Sequence, residues 1–209
     1  HSQPGKGTIV FTRLRARRRT PDPGKLLVGG ESVPKDAETY CGHARQVYQR
    51  ATGAVAVLVD GLGHGRSAFE AASAALAAIK PERFAGTTPA LRDMHDAIRH
   101  TRGAAAGVAD IVVHSNLVRF AGVGNVGATI GSPRVVKQAV SHNGTLGHEA
   151  RQFREYSYPW SVDSWMALYS DGLSSHWSTA EYIGLLERHP GVIAAALYRD
   201  FNRHRDDVT

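Results

Sequence analysis

The stretch AVAVLVDGLGHG, residues 54–65, carries a valine-rich run onto a carboxylate, Asp60, and then turns through three glycines with His64 among them. A short apolar, β-branched run bounded by glycine reads as a buried strand. A carboxylate at the end of such a strand is costly to bury without a partner. Asp-Gly is also a strong hairpin signal. This stretch alone therefore supports either a tight turn or an aspartate placed to hold something.

A second stretch has the same form. WMALYSDG, residues 165–172, is another buried-type strand ending in Asp171-Gly172, and RDDVT, residues 205–209, puts Asp206-Asp207 at the start of a third strand-like segment. Several converging carboxylates suit a divalent cation, since Mg²⁺ and Mn²⁺ take oxygen ligands and keep bound waters. Glycine after Asp60 and after Asp171 lets the backbone approach an ion.

Outward from these stretches, TIVFTRL (8–14) and KLLVGG (25–30) read as strands. TYCGHARQVYQ (39–49) reads as another, joined to the opening strand by a hairpin around Arg50–Gly53. Ser67–Ile79 is helical, with Phe69, Ala72, Leu76 and Ile79 on one face. Residues 87–101 form a second helix, with Thr88 as cap and Pro89 in the first turn. GAAAGVADIVVH, NLVRFAGVGN, GATIGS and RVVKQAV follow as an antiparallel meander, then QFREYSYPW as a strand. Ser178 and Glu181 form a capping box for a helix over 178–189, and a last helix begins at Pro190. Helices segregated from antiparallel strands imply an α+β fold.

The chain has 209 residues and a net charge of +6. Its length suits a single domain over 8–209, with residues 1–7 as a tail or expression remnant. No apolar run reaches the ~20 residues of a membrane span. The only cysteine, Cys41, leaves no intrachain disulfide and fits a reducing compartment, so a cytoplasmic location is expected. The positive charge is concentrated in RLRARRRTPDPGK, Arg13 to Lys25. That run suits a solvated edge or an acidic partner. It lacks the aromatic interleaving and zinc-finger spacing of nucleic-acid binders. GLGHGRS is no phosphate loop, since no lysine follows. Gly122–Gly127 opens onto a strand rather than a helix, against a dinucleotide fingerprint. No zinc-hydrolase or serine-hydrolase motif occurs.

In order along the chain, DGLGHG, an Ala-rich helix, FAGVGNVGATI, NGTLGHEA, MALYSDGL and RDDVT resemble the metal-dependent serine/threonine protein phosphatases (the PPM class), most closely the bacterial SpoIIE-like and RsbX-like branch. The resemblance implies an αββα sandwich, two antiparallel sheets flanked by helices, with Mn²⁺ or Mg²⁺ at one end. Asp60 with the Gly61 carbonyl, Asp171 and Asp206 would be the metal ligands, and Gly124-Asn125 a structural turn. The family usually has Gly-Asp before the opening strand, where an aspartate binds the second of two metals. Here the matching residues are Gly42-His43, so His43 either rewrites that site or weakens it. His64 is the candidate general acid for the leaving alkoxide. The implied substrate is a phosphoserine or phosphothreonine regulator of sigma-factor partner switching or a stressosome, such as a STAS-type antagonist or scaffold. The alternatives are a degenerate phosphatase that binds this partner without turnover and a basic nucleic-acid-binding module.

Overall fold

The computed structural model describes residues 1–12 and 25–209. Most of the basic run lies outside them, including Arg13, Arg15 and Arg17 to Arg19. Among the described residues there are ten strands and three α-helices. The strands are β1 (Ser2–Gln3), β2 (Gly7–Thr8), β3 (His43–Arg50), β4 (Gly53–Gly61), β5 (Ala104–Val112), β6 (Leu117–Val123), β7 (Gly127–Gly131), β8 (Val136–Gln138), β9 (Tyr156–Pro159) and β10 (Trp165–Tyr169). The helices are α1 (Arg66–Ala78), α2 (Thr87–Ala97) and α3 (Pro190–Phe201).

Every strand pair is antiparallel. One sheet has the order β3-β4-β5-β6-β9, a second the order β10-β7-β8, and β1 and β2 form a small hairpin. The alternation of side chains along the strands explains the layering. In β4, Val55, Val57 and Val59 point to one face and join α1 and α2 through Ala72, Ala75, Leu91 and Met94. The opposite face of the same sheet offers Ala109, Ile111, Val118 and Phe120 to Ala128, Ile130 and Met166 of the second sheet. Beyond that sheet, Ile193, Leu197 and Phe201 of α3 pack on Ala167 and Tyr169 of β10. The layers are helix, sheet, sheet, helix, which is the expected α+β, αββα arrangement.

The α1 helix lies close to the sheet because its buried stripe, Ala68, Ala71, Ala72 and Ala75, carries only methyl groups. Phe69, expected on that stripe, is 39% exposed and packs its ring on Tyr40 at 5.4 Å instead. Alanine at the tight contact displaces the bulkier residue to the rim.

Other expectations are corrected. The meander is divided between the two sheets: after β6 the chain crosses at Gly124–Val126 to the second sheet, and β9 returns to pair with β6. Of 8–14, only Thr8 is in a strand among the described residues, and 25–30 pairs in none. Residues 2–7, read as tail, form with Thr8 the β1–β2 hairpin, and Lys6 Nζ reaches Glu181 Oε2 at 2.7 Å. No helix forms over 178–189. Ser178 Oγ accepts from the Ala180 N–H, but Glu181 turns outward to Lys6 instead of closing the box, and Gly184 adopts φ +67°. The segment is a series of tight turns that bury Tyr182 and Leu185 against α3. The N-cap of α2 is Gly86 rather than Thr88, and Thr87 Oγ1 donates to Glu155 at 2.6 Å.

A carboxylate cavity where the two sheets end

The register brings the candidate residues to one end of the sandwich. Asp60 is opposite His43 on β3 and Ala105 on β5, and Ala106 is opposite Val123 at the end of β6. The crossover to the second sheet starts there. In that sheet Gly127 pairs with Tyr169, the last residue of β10, so Asp171 emerges at the same end. Asp60, Asp171 and Asp206 together line a cavity of about 190 Å³, with Leu62, Gly63, Asn125 and Thr145 among its walls. The larger cavity, about 1080 Å³, is walled mainly by apolar side chains such as Leu168, Trp165 and Leu197, and holds none of these aspartates.

The two Asp-Gly steps are not hairpin turns. A type I′ turn needs positive φ, and neither Gly61 nor Gly172 has it. Each is instead a point of close backbone approach. A Cβ on Gly61 would lie 2.1 Å from the Ala68 carbonyl of α1, and one on Gly172 would lie 2.1 Å from the Asp207 carbonyl. Glycine at both places lets a neighbouring segment close over the end of the strand.

The adjacent aspartates of RDDVT do different work. Asp207 is wholly buried and its carboxylate is satisfied: Oδ1 accepts from Lys35 N–H at 2.7 Å and Oδ2 from Gly42 N–H at 2.8 Å. Val208 forms an antiparallel bridge to Val33, and Ser170 N–H donates to the Thr209 carbonyl. These bonds fix both the 33–42 segment that delivers His43 and the aspartate beside it. Asp206 lines the cavity, with Oδ1 accepting only from the Asp207 N–H.

Among the described residues, Asp60, Asp171 and Asp206 form no ion pair with lysine or arginine. Asp110, the other buried carboxylate of the five-stranded sheet, is by contrast paired with Arg50 and Arg119. The cost is visible at Asp171: burial and the negative charges of Asp60 and Asp206 push its carboxyl above the usual range, and the hydrogen bond donated by Asn125 Nδ2 only partly offsets them. His43 has a fully buried side chain, with Nε2 at 3.1 Å from Asp60 Oδ1 but without hydrogen-bond alignment, so both ring nitrogens lack a hydrogen-bond partner. Burial opposes charging this ring, yet Asp60, Asp207 and Asp206 outweigh it and raise the pKa. Donor atoms of His43, Asp206 and Asp207 lie within 4.8 Å of one another. Converging carboxylates without a cation partner, beside an imidazole with unsatisfied nitrogens, fit a divalent metal. An oxygen-rich set with one nitrogen suits Mn²⁺ better than Mg²⁺.

Two predicted residues stand differently. Gly61 ends β4 between the lining residues Asp60 and Leu62 but is not itself among them, and its N–H donates to the Gly42 carbonyl at 3.0 Å. His64 is exposed and is not among the lining residues; its Nδ1 lies 2.5 Å from Glu38 Oε1. The sequence reading did not assign the Asn125–Asp171 contact, the carboxylate of Asp207 or the wall at Thr145. That wall is built by residues 142–150, which bridge to β5 through Leu146 and Ala104. Its only signal in the sequence was the stretch NGTLGHEA.

Comparison with known proteins agrees with this fold. A chain from work on the bacterial stressosome as a modular system adapted to control secondary messenger signalling superposes with a TM-score of 0.81, at 23% identity, over 87% of this chain and 95% of that one. RsbX in complex with magnesium gives 0.67 at 18% identity, over 85% and 89%. The catalytic domain of the serine/threonine protein phosphatase PstP in complex with two manganese ions gives 0.63 at 18%, over 85% and 93%. No curated protein matches the sequence significantly. The family model for stage II sporulation protein E (SpoIIE) matches residues 50–209. That match takes in both Asp-Gly strand ends and the closing aspartates, and the chain therefore belongs to the SpoIIE family within the PPM class of protein phosphatase folds.

Proposed function

We propose that this chain is a metal-dependent phosphatase of phosphoserine or phosphothreonine proteins, acting on a regulator of the partner-switching or stressosome type in the cytoplasm. The observation that carries the reading is the meeting of Asp60, Asp171 and Asp206 in one open cavity with no basic partner. Asp60, the Gly61 carbonyl, Asp171 and Asp206 would hold Mn²⁺ or Mg²⁺, and His43 would stand at a second site. When bound, the metal supplies charge that screens the phosphoryl oxygens and acidifies water. Asn125 orients Asp171, and Asp207 holds the 35–42 segment so that His43 faces Asp60. His64, oriented by Glu38 on the turn after Asp60, takes the role of general acid to the leaving serine oxygen. Mn²⁺-dependent phosphate release from a phosphoserine peptide tests the reading. Release abolished by Asp171→Asn is expected, and no release at any Mn²⁺ concentration would overturn it.

A second reading rests on His43. A buried imidazole 3.1 Å from Asp60 stands where the family places a carboxylate, which favours a chain that binds its phosphorylated partner without turning it over. His43→Asp separates the two. A large gain of turnover over a silent parent supports the binding role, whereas turnover by the parent itself supports the enzyme.

A further inference from the structure

The segment between α2 and β5 is fixed from three sides. Thr101 Oγ1 donates to the Ile98 carbonyl at 2.7 Å, His148 Nε2 lies 3.0 Å from the Thr101 carbonyl, and Leu62 N–H donates to the Gly103 carbonyl at 3.0 Å. This ties residues 101–103 to the turn that follows Asp60. From here the exposed side chain of Arg102 reaches over Gly63, a lining residue of the carboxylate cavity: a Cβ on Gly63 would meet Nη1 at 2.9 Å and Cζ at 3.4 Å. Other arginines nearby are engaged, Arg99 with Asp96 and Arg66 with Glu70, each at 2.9 Å. Arg102 forms no hydrogen bond or ion pair with any described residue.

A free guanidinium on a fixed backbone, at the mouth of a cavity that gathers cations, has the chemistry for an anion held partly by those cations. We propose that Arg102 binds the phosphoryl group of the substrate, taking the non-bridging oxygens that face away from Asp60, Asp171 and Asp206. This rests on the phosphatase reading above. The planar fork of arginine matches two phosphoryl oxygens at once, which lysine does not.

Calorimetry tests it in two steps: Mn²⁺ uptake first, then binding of inorganic phosphate to the Mn²⁺-loaded protein, for wild type, Arg102→Ala, Arg102→Lys and Arg99→Ala. Unchanged Mn²⁺ uptake with phosphate affinity about tenfold weaker in Arg102→Ala, intermediate in Arg102→Lys and unchanged in Arg99→Ala is expected. The KM for a phosphoserine peptide should rise in parallel. Phosphate affinity within twofold of wild type in Arg102→Ala, or an equal loss in Arg99→Ala, would overturn the assignment of Arg102 while leaving the metal reading intact. Failure of the wild type to take up Mn²⁺ would remove both.

Discussion

The ends of β4 and β10 carry the same dipeptide and are built in different ways. Asp60 closes a nine-residue central strand, has β3 on one side and β5 on the other, and faces a buried His43. Asp171 lies two residues past a five-residue strand at the edge of its sheet and is held by one side chain, Asn125. A ladder positions the first carboxylate, while a single donor from a crossover loop positions the second. One site thus combines a rigid ligand with one whose orientation depends on a neighbour.

The largest effect expected from this contrast is at Asp60. Asp60→Asn removes the anion that β3 and β5 frame, and Mn²⁺ affinity should fall by about a hundredfold or more, at least the upper end of what loss of an outer-shell partner costs. Titration calorimetry reads it. Asn125→Ala leaves Asp171 in place but unoriented, so affinity should fall by about tenfold, the smaller loss. Equal losses in the two variants would break the distinction between ladder and side-chain support.

The glycines sharpen the same comparison through stability. Gly61→Ala must push α1 off the strand and Gly172→Ala must push the Asp206–Thr209 segment off, each against backbone at 2.1 Å. Each should cost about 3 kcal/mol in denaturant unfolding. Phe69→Ala, at an exposed rim position of α1 (39% exposed), should cost under about 1 kcal/mol. A Gly172→Ala variant as stable as wild type would mean that the segment carrying Asp206 and Asp207 is not pressed onto the strand end.

Much of the fold was legible because period-two burial and the alanine stripe are local signals. The opening strand, its hairpin with β3, both early helices and the last helix follow from residues close in the chain. The failures arise where partners are distant. The capping box expected from Ser178 and Glu181 does not form, and Glu181 pairs instead with Lys6, 175 residues upstream. Phe69 fits a helical stripe by spacing, yet the close approach of α1 admits only methyl groups. At the site, the two Asp-Gly strand ends bring Asp60 and Asp171 to one cavity, which Asp206 also lines. The division of labour between Asp206 and Asp207 was hidden, since it depends on which carboxylate meets the N–H groups of Lys35 and Gly42.

The central claim is that the ends of β4, β10 and the closing segment share one metal. A crystal of this chain soaked in MnCl₂ and measured at the manganese absorption edge tests it most directly. An anomalous peak within bonding distance of Asp60, Asp171 and Asp206 is the predicted result, lost in crystals of Asp60→Asn. A wild-type map with no peak among these three carboxylates would contradict it.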